Sequence, residues 1–218
     1  MVIFQPYRYL TKRVIKENGH YIKGKTIDVG AGSFSRYRQF FDCGQYLTID
    51  IDENLKPDIV GSVEKIPLPD ESVDSVVCTG VLGDIFEPKK PIEEFHRILK
   101  DRGHCLLTDN FFGAIHNEPF DYFRFTNFYF ERILKESGFK IIKISKIGGF
   151  YAMIAQGIIE YSVRALNLYQ HNFWGRVFNL IFLAFGRLMI FFDKIDRSEA
   201  NKKFTIAWLI ICQKDSVN

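Results

Sequence analysis

Two stretches of the 218-residue chain gather side chains that can do chemistry. One is Asp28-Val29-Gly30-Ala31-Gly32, with Asp50 following twenty positions after Gly30; the other is Asn110 to Thr126, which holds an imidazole, carboxylates, a phenol and a guanidinium. A glycine turn leaving the first strand of an α/β sheet lets a ligand approach the backbone closely. An acid at the end of the second strand can accept hydrogen bonds from both hydroxyls of a ribose, so together they point to a nucleoside-bearing cofactor. Asp28 chooses between two such cofactors on charge. A dinucleotide would set its pyrophosphate beside the turn, where a carboxylate repels it, and the third glycine of its fingerprint is here Ser35. S-adenosylmethionine (SAM) carries an ammonium and a sulfonium, which a carboxylate attracts. Against this stands the reading in which Asp28 caps its own turn and Asp50 and Asp52 are solvated strand ends; it leaves the combination unexplained.

The second stretch faces the other reactant, because ligands of open α/β sheets bind beyond the carboxyl ends of the strands. Methyl transfer is an in-line displacement at an already activated carbon, so the protein supplies positioning, plus a base where the acceptor is a hydroxyl or an amine. His116 is the candidate base, against a plainer role in ordering its own loop. Tyr122 and Arg124 are candidates to orient an anionic or sugar-like acceptor. The alternative makes Asp121 and Arg124 a structural ion pair, Thr126 the cap of the next helix and the aromatics core. His20, His96, His104, His116 and His171 lie far apart without Cys, Asp or Glu at ligand spacing, so no metal is expected.

These groups need a scaffold, and the apolar pattern provides one. Strand-length runs recur at Thr26–Val29, Tyr46–Ile49, Ser75–Thr79 and Cys105–Thr108 with helical patterns between them, the signature of a parallel sheet wound by crossovers. A leading helix carries Tyr7, Leu10, Val14 and Ile15; Pro88–Lys100 and Asn127–Ser137 read as further helices, and Phe139–Ser145 and Phe204–Cys212 as strands. The expected fold is a Rossmann-like α/β domain: an open, mostly parallel sheet with helices on both faces, formed by residues 1–147 and 204–218. Residues 148–203 form a helical insert before the last strand.

Composition narrows the partners. A net charge of +3 without any Lys/Arg block argues against nucleic acid. Four unpaired-looking cysteines, and an amino terminus interrupted by Gln5, Pro6 and Arg8, suggest a reducing, cytoplasmic setting rather than secretion. Within the insert, Asn172, Arg176, Asn179, Arg187 and Lys194 fall close to one line of an otherwise apolar helix, which should therefore bury most of its circumference. Arg176 and Arg187 interrupt it too often for a membrane span. Packing on Phe150–Tyr169, whose Gln156, Glu160, Arg164 and Asn167 should point outward, is expected, as a lid or homodimer surface, ahead of peripheral contact with the inner face of a membrane.

The residues also carry a family resemblance. Thr26 to Tyr37, TIDVGAGSFSRY, is similar to motif I of class I SAM-dependent methyltransferases, and Lys56 to Asn110 resembles the type 11 methyltransferase pattern from the adenine-side turn through the fifth strand. The resemblance implies that Asp28, Gly30, Ala31 and Gly32 hold the cofactor, that Asp50 with Ile51 takes the ribose, and that Ser62, Val63 and Glu64 enclose the adenine. It implies a small-molecule, sugar or lipid-linked acceptor. Phe34 stands where many members have a third glycine, Ser62 where they have an acid, and Gly83-Asp84 where they have Glu-His. A catalytically silent SAM-binding partner protein and a nicotinamide-dependent oxidoreductase are the competing readings; charge opposes the second, and the loaded acceptor loop the first.

Overall fold

The computed structural model describes residues 3–32 and 36–215; Phe34 and Ser35, on which part of the motif reading falls, lie outside the described residues. β1 (Lys23–Val29), β2 (Asp42–Asp50), β3 (Ile59–Val60), β4 (Val73–Thr79) and β5 (Leu99–Asn110) run parallel, and β7 (Ala207–Lys214) lies antiparallel between β5 and β6 (Phe139–Ile147). The spatial order is β3-β2-β1-β4-β5-β7-β6. The central strands are apolar at successive positions because both faces of the sheet are covered. On one face α2 (Lys89–Ile98) and α3 (Asn127–Glu136) bury Ile92, Phe95, Phe130 and Leu134 against Val29, Cys78, Leu107 and Ile210. On the other, α1 (Pro6–Asn18) and α4 (Phe150–Ala165) set Leu10, Ile15 and Ala152 against Val77, Leu106, Leu209 and Ile211. All four cysteines are buried and free, as small apolar fillers.

The expectation of a helix in every crossover is too general. Between β1 and β2 the described residues form only the 3-10 turn Arg38–Phe40, and between β2 and β3 only Glu53–Leu55. Thr126 does cap α3, accepting from the Tyr129 N–H at 3.3 Å.

The insert, α4, α5 (Asn172–Ile195) and the short α6 (Glu199–Lys202), departs from α1-facing β6 and returns to β7. Asp193 of α5 pins the start of α4, accepting from the N–H groups of Gly149, Tyr151 and Ala152 at 2.9, 3.0 and 2.9 Å. Two expectations are corrected here. Gln156 points inward, buried, and accepts from the Tyr7 N–H at 3.0 Å, because α1 crosses that side of α4. α5 does not bury most of its circumference: only Gly175, Phe182, Gly186 and Ile190 are buried, one narrow line, while Phe173, Leu180, Ile181, Leu188, Phe191 and Ile195 are each more than half exposed. Asn179 of the polar line is also spent inward, accepting from the Phe4 N–H at 2.7 Å. By length and composition α5 is apolar enough to cross a membrane, with a mean hydropathy of 1.6 over its best window, despite Arg176 and Arg187.

Candidate functional site

The carboxyl ends of β1, β2, β4 and β5 converge on two adjacent cavities. At the end of β1 the chain turns back sharply, and Gly30 and Gly32 take φ of 68° and 64°, a left-handed conformation that side chains disfavour. The turn is held by N–H donation from Gly30 and Ala31 to the Ile49 carbonyl at 2.9 and 3.2 Å. A Cβ on Gly30 would meet Val81 at 2.5 Å, whereas one on Gly32 would meet nothing within 4 Å among the described residues. Gly32 therefore presents bare backbone to open space. Asp50 locks the same turn from β2: one carboxylate oxygen accepts from the Gly32 N–H at 2.9 Å and the other from the Asp52 N–H at 3.1 Å. Each oxygen keeps a lone pair for the cavity beside it.

That first cavity, about 600 Å³, is lined by Asp50, Ile51, Ser62, Val63, Glu64, Val81, Asp84, Ile85, Asn117, Phe120 and Tyr122. Six residues from three separate stretches of sequence, Gly30, Asp50-Ile51 and Ser62-Val63-Glu64, thus surround one space. Val63 is buried and Ile51 is 74% exposed at the rim. Ser62 accepts from the Glu64 N–H at 3.1 Å, so its hydroxyl orders the turn.

The second cavity, about 300 Å³, shares Gly30 and Gly80 with the first and is lined by Tyr7, Arg8, Asp28, Ala31, Arg36, Tyr37, Thr79, Asn110 and His116. Asp28 sits at its floor, 3% exposed, with one oxygen accepting from the Tyr46 hydroxyl at 2.6 Å and the other buried without a hydrogen bond among the described residues. Burial pushes its carboxyl up to about 6, the Tyr46 hydroxyl opposing and the charge of Asp50 adding. The side-chain oxygen of Asn110 is likewise buried and unpaired. Acceptors without donors, beside two arginines, suit a zwitterion: a cation for Asp28 and Asn110, an anion for Arg8 and Arg36.

The loop after β5 folds around Asp121. Its nearly buried carboxylate takes both terminal nitrogens of Arg124, accepts from the His116 N–H at 3.0 Å and lies 3.2 Å from His116 Nδ1. The Arg124 hydrogen bonds, foremost, hold the Asp121 carboxyl well below the usual carboxylate range. Arg124 also donates to the Phe123 and Ala114 carbonyls, so its terminal N–H groups are committed to the loop. The expectation that it orients an acceptor gives way to the structural ion pair, because four local acceptors surround it. His116 Nε2 faces Asp84 at 3.5 Å. Tyr122 packs edge-on against Phe86 and lines the first cavity rather than the second, so His116 and Tyr122 look into different lobes.

Two acids to which the sequence assigns no role, Asp109 and Asp84, organise this region. Asp109, at the end of β5 and 3% exposed, accepts from the Gly83 N–H at 3.0 Å and from the Asn110 N–H at 2.7 Å, and burial pushes it up to about 7. Gly83 then offers its carbonyl to the N–H groups of Tyr122 and Phe123, and a Cβ there would meet the Phe123 carbonyl at 2.9 Å. The Gly83-Asp84 pair is thus the seat on which the acceptor loop packs. An acid inside the apolar strand Cys105–Asp109 is the signal that could have revealed it. Asp84, raised mainly by burial, has an oxygen without a hydrogen bond and joins His116 and Asp121 in a cluster whose donor atoms lie within 4.8 Å of one another. Sequence spacing did not anticipate this cluster. Because Arg124 occupies both Asp121 oxygens, it suits an imidazole held between carboxylates better than a coordinated dication.

Comparison with known proteins agrees with this fold. The family described as "Methyltransferase domain" matches residues 27–107, from β1 through β5. An uncharacterized protein of Methanocaldococcus jannaschii is 28% identical over 146 residues, 58% of this chain and 70% of that one. Among solved structures, the BH2331 protein of Bacillus halodurans superposes with a TM-score of 0.59 at 16% identity, over 94% of this chain and 99% of that one. The phosphoethanolamine N-methyltransferase 2 of Haemonchus contortus, solved with S-adenosyl-L-methionine, gives 0.60 at 15% identity, over 96% of this chain and 53% of that one.

Proposed function

We propose, from the premise that this chain carries a class I SAM-dependent methyltransferase domain, that it methylates a hydroxyl or amine of a small-molecule, sugar or lipid-linked acceptor. The observation that carries the reading is the pair of adjacent cavities, with a carboxylate in the one at the ribose end and unpaired buried acceptors in the other. The residues fit the cofactor. Asp50 would take the ribose hydroxyls, Ile51, Ser62, Val63 and Glu64 the adenine, and Gly32 leaves room at the backbone. Asp28 and Asn110 would receive the ammonium, Arg8 and Arg36 the carboxylate. When bound, SAM supplies a methyl carbon activated by its positive sulfur.

His116 is assigned as the base. The Asp121 carboxylate, nearer than any other partner of Nδ1, favours the proton there and leaves Nε2 as the basic nitrogen. Asp84 faces that nitrogen and would stabilise the imidazolium once the acceptor's proton arrives. Tyr122 would contact the acceptor or the cofactor edge from the first lobe. The reading is tested by a methyl-transfer screen with labelled SAM over sugar, amine and lipid-linked acceptors, run beside calorimetry of SAM and NAD. Asp50→Ala should weaken SAM by about 1.5 to 3 kcal/mol through lost charge-assisted bonds. Tighter binding of NAD than of SAM would overturn the cofactor, and SAM binding without turnover across the screen would favour the silent partner protein.

A further inference from the structure

The α4–α5 hairpin leaves a surface that the rest of the protein does not cover. At about 100° per residue, Phe173, Leu180, Ile181, Leu188, Phe191 and Ile195 fall within a sector of about 100° on α5, opposite the buried line through Phe182 and Gly186. All six are more than half exposed. The surface continues across α4 through Ile154, Ile158 and Tyr161, also exposed, with the Tyr151 and Phe192 rings in contact 5.7 Å apart to close the gap between the helices. It then reaches the loop that carries His116: the Phe112 ring packs against Gly157, and Ile115 stands 65% exposed beyond it. Contiguous exposed apolar area on this scale marks an interaction site.

Charge identifies the occupant. Arg176, Arg187 and Lys194 lie within about 20° of one another on the wheel, flanking the apolar sector, and all three are exposed. None of them forms an ion pair or side-chain hydrogen bond among the described residues. The acids of the two helices are already engaged: Glu160 bridges to Arg164, and Asp193 points inward at the start of α4. Trp174, Tyr161 and Tyr169 gather toward the α4–α5 turn, the amphipathic aromatics that suit a headgroup boundary. The same face of a second copy would set one cationic flank against another, with no free acid on α4 or α5 to meet it. We infer that the outer face of the α4–α5 hairpin docks in the plane of an anionic lipid bilayer, its apolar sector against the acyl boundary and Arg176, Arg187 and Lys194 among the headgroup phosphates. The inference does not rest on the methyl-transfer reading, although docking would bring the His116 loop to the lipid surface.

Co-sedimentation of the full chain with vesicles of mixed phosphatidylglycerol and phosphatidylcholine, and with phosphatidylcholine alone, tests it. The protein should partition onto the anionic vesicles at low salt and leave them at high salt. Changing Arg176, Arg187 and Lys194 together to Gln should lower that partition about 100-fold, from about 5-fold per cation. Leu180→Ser with Phe191→Ser should abolish it; both sites are exposed, so thermal unfolding should be unchanged, which separates lost docking from lost fold. A protein that ignores anionic vesicles overturns the inference. If it is also a dimer by light scattering, and the Leu180→Ser, Phe191→Ser variant is a monomer, the face belongs to a second copy. Equal, salt-insensitive association with both vesicle types would overturn the role of the three cations.

Discussion

Replacing Asp28 by Asn should stabilise the cofactor-free protein while weakening its hold on SAM. The Asp28 carboxyl is 3% exposed and is pushed from 3.8 up to about 6, burial outweighing the Tyr46 hydroxyl. A rise of that size corresponds to a cost of about 3 kcal/mol for keeping the ionised form buried. The folded chain holds a proton that the unfolded chain releases. Any stability from this group is therefore complete below 3.8 and is lost as pH rises through about 6. Asn is neutral throughout and keeps an oxygen for the Tyr46 hydroxyl. Its NH₂, however, inherits the position where Asp28 has no partner, which returns about 1 to 2 kcal/mol. The net gain near pH 8 is then about 1 to 2 kcal/mol, or about 2 to 8 °C in Tm for a chain of this length. The gain should disappear near pH 4, where the native carboxyl is already neutral. The SAM ammonium loses a charged partner, so affinity should fall by about 1.5 to 3 kcal/mol. Native SAM affinity should itself decline on acidification through about 6, and this dependence should flatten in the variant. Thermal unfolding near pH 8 and pH 4, with calorimetric titration of SAM, reads all three. A variant that melts below the native protein near pH 8 and binds SAM equally well would refute the argument that Asp28 is a buried anion awaiting a cation.

The two turn glycines should respond differently. Gly32→Ala puts its Cβ into open space, so SAM affinity should drop with a stability cost of only about 1 to 2 kcal/mol for the left-handed backbone. Gly30→Val meets the Val81 side chain and should lower Tm markedly, so only the first variant reports cleanly on the cofactor. For the base, His116→Gln should cut turnover by about 100-fold or more with SAM affinity intact, and Asp121→Asn should shift the pH profile of turnover as the imidazole loses its orienting partner; unchanged rates in both would move the acceptor elsewhere. Asp193→Ala frees three N–H groups at the start of α4 and should destabilise the fold by about 2 kcal/mol in urea unfolding, without touching SAM affinity.

Local chemistry along the chain was enough to locate the strands, the leading and crossover helices, the glycine turn and the acid at the end of β2. Each depends on residues adjacent in sequence or on a fixed period, and a buried strand must read apolar wherever it lies. The surroundings of Asp50 were legible for the same reason: a parallel sheet brings successive strand ends to one edge, so Gly30, Asp50 and Ser62 had to meet. The cluster of Asp84, His116 and Asp121 was not legible, since its members come from two loops whose approach is fixed by a buried acid, Asp109, holding Gly83. By sequence Arg124 is equally fit for substrate and for scaffold; the four acceptors around it commit it to the scaffold. The insert shows the limit most clearly. Periodicity gave α5 its narrow polar line but could not say which side of the helix faces the protein. That side is set by Gly186, where a Cβ would meet the Phe4 ring at 2.4 Å, and by Asn179 and Asp193, which hydrogen-bond inward. Tertiary packing therefore turned the broad apolar sector outward, because one closely approached glycine and two inward polar anchors fix the rotation of a helix that hydrophobicity alone would leave free to turn.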